Sequence, residues 1–430
     1  MNRRDFLKLL GYSGLASTLP SGFNAAQASA TPTLHTGKVL LTMHLGGGWD
    51  HSSFADPRQN ALINKWAATQ SAGGVGKLRF APLGENAAFF NKYYAYIMAV
   101  NGIVMFTNGH EIASRTRNTG SLVEGMPSTN ELYAAAVGDN LPMPFVRQGG
   151  FEGSVGIMPF TALPDESLLR TLANPNFDRG TKTYYSNAHI DLVHKYASQR
   201  LTKLQNQPNN LPRWQRKLEE LQRARQGTVA MEALATALPT SLDTLDLTGA
   251  RRNGIRELHM FLVLAAAGLT ATGSFGTGGW DSHGNHDANH INTLTDLTRL
   301  LDYTWTKANS MGLGDRLIVH VTSDVGRTPS YNSTNGKDHW SLGGDIIMAK
   351  NAPWANRIVG ISGANHEQIK INPNTLQRDN TNGLYLQTKH VHVALRELLG
   401  IQNHPLAQRY DLKAEALPLF NPAVASGITV

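Results

Sequence analysis

Arg316-Leu317-Ile318-Val319-His320-Val321-Thr322 runs directly into Ser323-Asp324-Val325-Gly326-Arg327-Thr328. The first half is short, apolar and β-branched, the pattern of a strand covered on both faces. The second half is a polar, glycine-bearing turn that opens on an acid. The same two-part unit recurs. Lys38–His44, KVLLTMH, leads into Gly46-Gly47-Gly48-Trp49-Asp50-His51. A strand predicted over Gly268–Phe275 ends in Gly276, Gly278 and Gly279, followed by Trp280-Asp281-Ser282-His283-Gly284-Asn285-His286. Ile103–Phe106 leads into Thr107-Asn108-Gly109-His110, and further strands are predicted at Asp345–Ala349 and Arg357–Ile361.

Helical patterns alternate with these strands. One is predicted between Pro127 and Asn140, with Ser128 or Thr129 as its cap and Glu131 placed as the capping-box partner. An apolar helix is predicted at Ile255–Ala267. Another, over Ala288–Ala308, aligns Ile291, Leu294, Leu297, Leu301 and Trp305 on one face. A last one, over Lys389–Leu399, stops at Gly400. The alternation predicts an α/β domain over residues 31–430, with a mostly parallel central sheet and helices on both faces. From Asp165 to Pro239 the composition turns to Gln, Asn, Arg and Lys. Exposed amphipathic helices are expected there at Ile190–Leu204 and Pro212–Gln226, forming a helical insertion rather than a separate domain.

The amino terminus has its own signature. Arg3 and Arg4 precede Phe6, Leu7 and Lys8; a weakly apolar stretch follows, and small residues close it at Ala26-Gln27-Ala28 and Ala28-Ser29-Ala30. This predicts a twin-arginine export signal over residues 1–30, cut near Ser29 or Thr31 and read by the twin-arginine translocation machinery. The expected location is periplasmic or extracellular. No later run of 18 uninterrupted apolar residues exists, so no transmembrane anchor is predicted for the mature chain. The 430 residues include no cysteine, which excludes disulfides, thiolate nucleophiles and cysteine metal sites. The formal charge of +7 is not gathered into a basic stripe with interleaved aromatics, which argues against nucleic acid as a partner.

In a parallel α/β sheet, ligands gather at the carboxyl ends of the strands. Three predicted strand ends deliver Asp50, Asp281 and Asp324, with His283 and His286 in the second turn. His339 follows the third, in Gly336-Lys337-Asp338-His339-Trp340. Such a set suits a hard or borderline divalent cation. Two cations roughly 4 Å apart would polarise a phosphoryl or sulfuryl oxygen. The competing structural reading makes each acid a cap within its own glycine-rich turn. His290, four residues beyond His286, is expected either to share a helix face with it or to lie exposed at a helix start. His44, His320 and His392 are expected in or beside the core. In the segment Gly109–Ser121, the hydroxyls of Ser114, Thr119 and Ser121 accompany Arg115 and Arg117. This combination suits a nucleophile beside an oxyanion-binding guanidinium, with Arg115 or Arg327 in that role. An ordinary polar loop with local hydroxyl turns is the alternative.

The twin-arginine start, the strand-Gly-Gly-x-Asp opening, Gly279-Trp280-Asp281-Ser282-His283-Gly284-Asn285, and the late Gly326-Arg327-Thr328-Pro329 with Gly336-Lys337-Asp338-His339-Trp340 together carry a resemblance. Over nearly the whole mature length the chain resembles an exported bacterial family, domain of unknown function fifteen-oh-one. That family looks like a distant branch of the alkaline phosphatase and sulfatase superfamily. The resemblance implies a two-metal site with a hydroxyl or formylglycine nucleophile. Asp50 would match the acid after the first strand, Asp281 with His283 or His286 the middle ligands, Asp324 the late acid, and His339 the final histidine. The ions would be zinc, calcium, magnesium or manganese. The expected function is an exported metal-dependent hydrolase of a small anionic phosphate or sulfate ester. Two features depart from the superfamily. Val325 follows Asp324 where Asp-His is common, and the sulfatase signature with its Pro and Arg is absent around Ser114–Ser121. They define the competing expectation, a catalytically decayed exported binding or assembly protein on the same fold. Hydrolysis of an envelope polysaccharide fits the location but lacks a paired-carboxylate signature.

Overall fold

The computed structural model describes residues 34–139, 141–149, 153–162, 176–178, 182–215, 217–219, 221–222, 238–239, 241–244, 247 and 254–424. The expected export signal and its cleavage point, and stretches 165–175, 179–181 and 223–237 of the expected insertion, lie outside these residues. No helix among the described residues is long and apolar enough to cross a membrane.

Eight strands form one sheet: β1 (Val39–Leu45), β2 (Ile97–Val104), β3 (Phe145–Gln148), β4 (Thr161–Ala162), β5 (Thr272–Thr277), β6 (Leu317–Ser323), β7 (Leu342–Ala349) and β8 (Arg357–Gly360). Their order is β8-β2-β7-β6-β1-β5-β3-β4. Every neighbouring pair is parallel except those involving β7, which runs antiparallel to both β6 and β2. The predicted, mostly parallel sheet is thus present. A parallel return normally needs a helical crossover. Residues 324–341 contain no helix, so the chain crosses the rim and comes straight back.

Period-two alternation sorts each central strand between two cores. Val39, Leu41, Met43 and Leu45 of β1 join Leu317, Val319 and Val321 of β6 on one face. There they pack under α1 (Asn86–Tyr93), α5 (Gly254–Ala266) and α6 (His286–Ser310). Leu40, Ile318 and Ile347 point to the other face, against α3 (Thr129–Val137) and α7 (Thr388–Leu398). The remaining major helices are α2 (His110–Thr119), directly after β2, and α4 (Asn187–Gln205) in the insertion.

Three local outcomes differ from expectation. β5 begins at Thr272 rather than Gly268, because Gly268 adopts φ 72° and ends α5 instead. The Leu269 N–H reaches back to the Leu264 carbonyl at 2.9 Å, a Schellman closure. β2 starts at Ile97, six residues before the predicted Ile103, because Asn101 and Gly102 interrupt the apolar pattern in mid-strand. At α3 only half of the capping box forms. Ser128 Oγ accepts the Glu131 N–H at 3.0 Å, while the Glu131 carboxylate accepts the N–H groups of Val155 and Ile157.

The crossing from β6 to β7 is clamped onto the turn after β5. Gly326 and Arg327 pair antiparallel with His339 and Trp340. The Lys337 N–H donates to the Ser282 carbonyl at 3.1 Å, and Thr334 Oγ1 to the His283 carbonyl at 2.7 Å. Gly336 lies so close that a Cβ would stand 1.8 Å from the His283 oxygen. Gly336→Ala is therefore expected to cost about 1–3 kcal/mol in a denaturant titration. It should also push the His283 turn off the rim. An unchanged unfolding midpoint would contradict this interlock.

Candidate metal centre

Leu45 is level with Ser323 of β6 and with Thr277 of β5, so three adjacent strands end at one height. The chain after each end carries one of the three acids. Asp324 follows Ser323 immediately and accepts the Gly47 N–H at 3.1 Å and the Val325 N–H at 2.9 Å. Gly47 sits at φ 117°, where a Cβ would lie 2.6 Å from the Asp281 nitrogen. Its lack of a side chain lets the first and second turns touch.

At the rim, three imidazoles surround Asp281. Each is anchored through Nδ1: His110 to Asp324 Oδ2 at 2.7 Å, His283 to Asp338 Oδ1 at 2.8 Å, and His339 to the Asn108 carbonyl at 2.8 Å. Assigned from these partners, Nδ1 carries the proton in each ring and Nε2 is left bare. The Nε2 atoms converge. His283 Nε2 is 2.9 Å and His339 Nε2 3.1 Å from Asp281 Oδ1, and the two nitrogens are 3.0 Å apart. His110 Nε2 lies 3.6 Å from Asp281 Oδ2. Ligand atoms of His110, Asp281 and His339 all fall within 4.8 Å of one another. Burial pushes the Asp281 carboxyl up, but the Arg327 guanidinium outweighs it and holds the group at about 2. The carboxylate is therefore charged at any ordinary pH.

The donor chemistry fits a cation. Tetrahedral zinc with bonds near 2.0 Å sets its ligands about 3.3 Å apart, close to the spacing seen here. Bare imidazole nitrogens packed this tightly against a carboxylate repel unless positive charge lies among them. Arg327 supplies it at Oδ1, while Oδ2, which faces His110, has no Lys or Arg partner among the described residues. An Nδ1–H held by a carboxylate or carbonyl, which leaves Nε2 free to face a cation, is how proteins orient metal-binding histidines.

Asp50 and His286, expected in the same set, lie elsewhere. Both are fully buried beneath the rim, where His286 Nε2 is 3.1 Å from Asp50 Oδ2. Lys337 Nζ is 2.6 Å from the same oxygen and is equally buried. Burial pushes the Asp50 carboxyl up; the Lys337 ammonium and His286 overcome this and hold it well below the ordinary range. Asp50 thus already has its cation. It also caps the turn His51–Ser53, accepting from the Ser52 N–H at 2.9 Å, so the capping alternative applies to this acid. His290 is buried rather than exposed; it stacks on His286 with centroids 4.5 Å apart and accepts the Asp50 N–H at 2.8 Å. Burial and the neighbouring His286 keep it from protonating.

The candidates for attack and anion binding also separate. Ser114 lines a cleft of about 550 Å³ at the strand ends, together with Arg117, Gly46, Gly278 and Asp324. Thr119 is buried and donates back to the Arg115 carbonyl at 2.9 Å, while Ser121 accepts the Val123 N–H at 3.1 Å; both are local turn bonds. Arg115 pairs with exposed Glu124 at 2.9 Å. Arg327 is wholly buried. It donates to the Gly47, Gly48 and Lys337 carbonyls and to Asp281 Oδ1, so it positions Asp281 instead of facing a ligand. Arg117, buried and ion-paired with Asp345, is the guanidinium at the cleft.

His110 and Lys337 were not singled out as functional by sequence. A lone imidazole in a polar segment offers no spacing signal. The available hint was its position, directly after a predicted strand and at the start of a helix.

These features describe an α/β domain with a mostly parallel sheet and a histidine–aspartate cluster at the carboxyl rim. Residues 194–349, which carry Asp281, His283, Asp324 and His339, match the profile of the family described as protein of unknown function (DUF1501), the kinship that the motifs imply. No curated protein matches. Among solved structures, the PsFucS1 sulfatase from Pseudoalteromonas sp. is similar at 9% identity and a TM-score of 0.42, over 99% of this chain and 78% of that one. BT1596, a 2-O GAG sulfatase, is similar at 9% identity and a TM-score of 0.31, over 85% and 71%. A TAB5 alkaline phosphatase variant with Mg in its M3 site is similar at 11% identity and a TM-score of 0.30, over 74% and 92%. Likenesses this distant concern the fold in outline and carry no argument about site or reaction.

Proposed function

We propose that the protein is an exported hydrolase of small phosphate or sulfate esters that works with a single zinc-class cation. The observation that carries this reading is the convergence of three Nδ1-anchored imidazoles on Asp281. Nitrogen donors favour zinc and its neighbours over calcium or magnesium. The second cation implied by resemblance has no comparable place among the described residues, because Lys337 compensates Asp50. A cation held at the rim by Asp281 and the imidazoles would supply a Lewis acid for the phosphoryl or sulfuryl oxygens. The protein's own groups do the rest. Asp324, Asp338 and the Asn108 carbonyl fix the imidazoles, and Arg327 fixes Asp281. The Arg117 guanidinium lines the cleft, held by Asp345 and the Ser323 carbonyl, and the Ser114 hydroxyl is the candidate for attack. Export is proposed from the Arg3-Arg4 signature.

Elemental analysis of protein purified without chelator tests this reading. The expected result is about one zinc-class ion per chain. Two ions would restore the two-cation reading. None, with no uptake on zinc titration, would end the cation reading altogether. Buried Lys337 in one half of the expected site also favours a second reading, a binding protein that retains a cation without turnover. Chelator-sensitive hydrolysis of an aryl phosphate or sulfate supports the hydrolase; a metal-loaded protein inert toward both supports the binder.

A further inference from the structure

Of the fifteen large apolar side chains exposed among the described residues, seven lie between Tyr184 and Trp214. Leu192, Val193, Tyr196 and Trp214 sit on a hairpin of α4 and the helical residues 212–215, 217–219 and 221–222, with Tyr184 and Tyr185 just before it and Leu211 in its bend. The Asn210 side-chain amide holds the bend by donating to the Leu204 carbonyl at 2.6 Å. α4 has two stripes. Ile190, Ala197, Leu201 and Leu204 form the inward one, with Leu201 buried and the other three partly so. From His189, positions i+3, i+4, i+7, i+11 and i+14 are Leu192, Val193, Tyr196, Arg200 and Lys203, a second and outward stripe. Val193 is 56% exposed, Tyr196 64% and, on the next helix, Trp214 56%.

The outward stripe is apolar and aromatic in its first half and cationic in its second. Lys195, Arg200, Lys203 and Arg213 have no carboxylate partner among the described residues, and Asp191 is the sole acid of α4. An aliphatic and aromatic face flanked by unpaired cations is the composition of a helix lying in the boundary of an anionic bilayer. A second copy of this chain fits poorly. Paired head to head, the stripes set cation against cation; paired head to tail, they set cation against leucine and valine.

We propose that this hairpin docks the folded protein on an anionic lipid surface. α4 lies flat, Tyr196 and Trp214 sit at the headgroup level, and Arg200 and Lys203 contact the lipid phosphates. The proposal is independent of the rim centre.

Sedimentation of the full chain with lipid vesicles tests it. Binding is expected to phosphatidylcholine vesicles that contain phosphatidylglycerol, with much less to phosphatidylcholine alone and weakening with added salt. The pair Tyr196→Ser and Trp214→Ser should reduce the bound fraction by about tenfold. Arg200→Glu with Lys203→Glu should remove the preference for anionic vesicles. All four positions are exposed, so unchanged thermal unfolding of the variants confirms that the fold is intact. No binding to anionic vesicles, or equal binding by wild type and variants, overturns the proposal. So does concentration-dependent self-association that Tyr196→Ser abolishes, which would make the face a contact between copies.

Discussion

Asp281→Ala is expected to lower zinc affinity by more than about 100-fold, beyond the range for removing a group that merely orients a ligand. Ester hydrolysis should fall at least in proportion. Asp281 Oδ1 is shared by His283, His339 and Arg327 at 2.9, 3.1 and 2.6 Å, so its loss removes the negative centre that the cluster surrounds. Three neutral imidazoles would remain beside an Arg327 deprived of its carboxylate, an arrangement that repels a second cation. Asp338→Asn is the comparison. It disturbs the Nδ1 anchor of His283, and the Asn332 amide that donates to the same oxygen, but leaves Asp281 in place, and a loss of about 10–100-fold is expected. Calorimetric zinc titration of both variants, with hydrolysis measured in parallel, checks the order. Equal, small losses would mean that Asp281 answers to Arg327 alone and that no cation belongs at the rim.

The sheet was legible because its central strands are buried on both faces. Leu317–Ser323 and Val39–Leu45 carry apolar residues at almost every position, so no period needs to be recognised. The direction of β7 was not legible, since an apolar strand has the same pattern in either orientation. It follows from what lies between strands, and residues 324–341 look like a loop in any fold.

The site shows the sharper boundary. Gly48-Trp49-Asp50 and Gly279-Trp280-Asp281 are the same three letters at the ends of neighbouring strands. Their tryptophans are both buried and meet edge to face, with centroids 6.4 Å apart. Their aspartates diverge. After Asp50 the chain folds inward into the turn His51–Ser53; after Asp281 it continues outward to Gly284, where Thr334 and Gly336 clamp it. Local sequence is the same up to the carboxylate, and only the path beyond it decides between a capped, lysine-paired acid and a rim ligand. Lys337 is harder still to read. Between Gly336 and Asp338 it resembles a solvated turn residue, and its burial comes from docking against the first and second turns.

Lys337→Met is expected to destabilise the protein by about 3–5 kcal/mol at neutral pH, the range for removing one partner of a buried ion pair. Methionine fills a similar volume, so the loss reports charge rather than a cavity. Asp50 would keep its hydroxyl and imidazole neighbours but lose the ammonium 2.6 Å away. The sign of the pH dependence provides the stronger check. In the wild type, the Asp50 carboxyl titrates well below the usual carboxylate range. Its contribution is complete above the unfolded value near 3.9 and is lost as the pH falls toward the native one. Without Lys337, burial is no longer opposed by that charge and raises the native value above the unfolded one. The native state then binds the extra proton, so this group favours folding more as the pH falls between the two values. Denaturant titrations from pH 7 to pH 4 should therefore show the gap between variant and wild type narrowing on acidification. A gap that stays constant would mean that Asp50 is compensated by His286 and its hydroxyl neighbours alone, and that Lys337 is no substitute for a second cation.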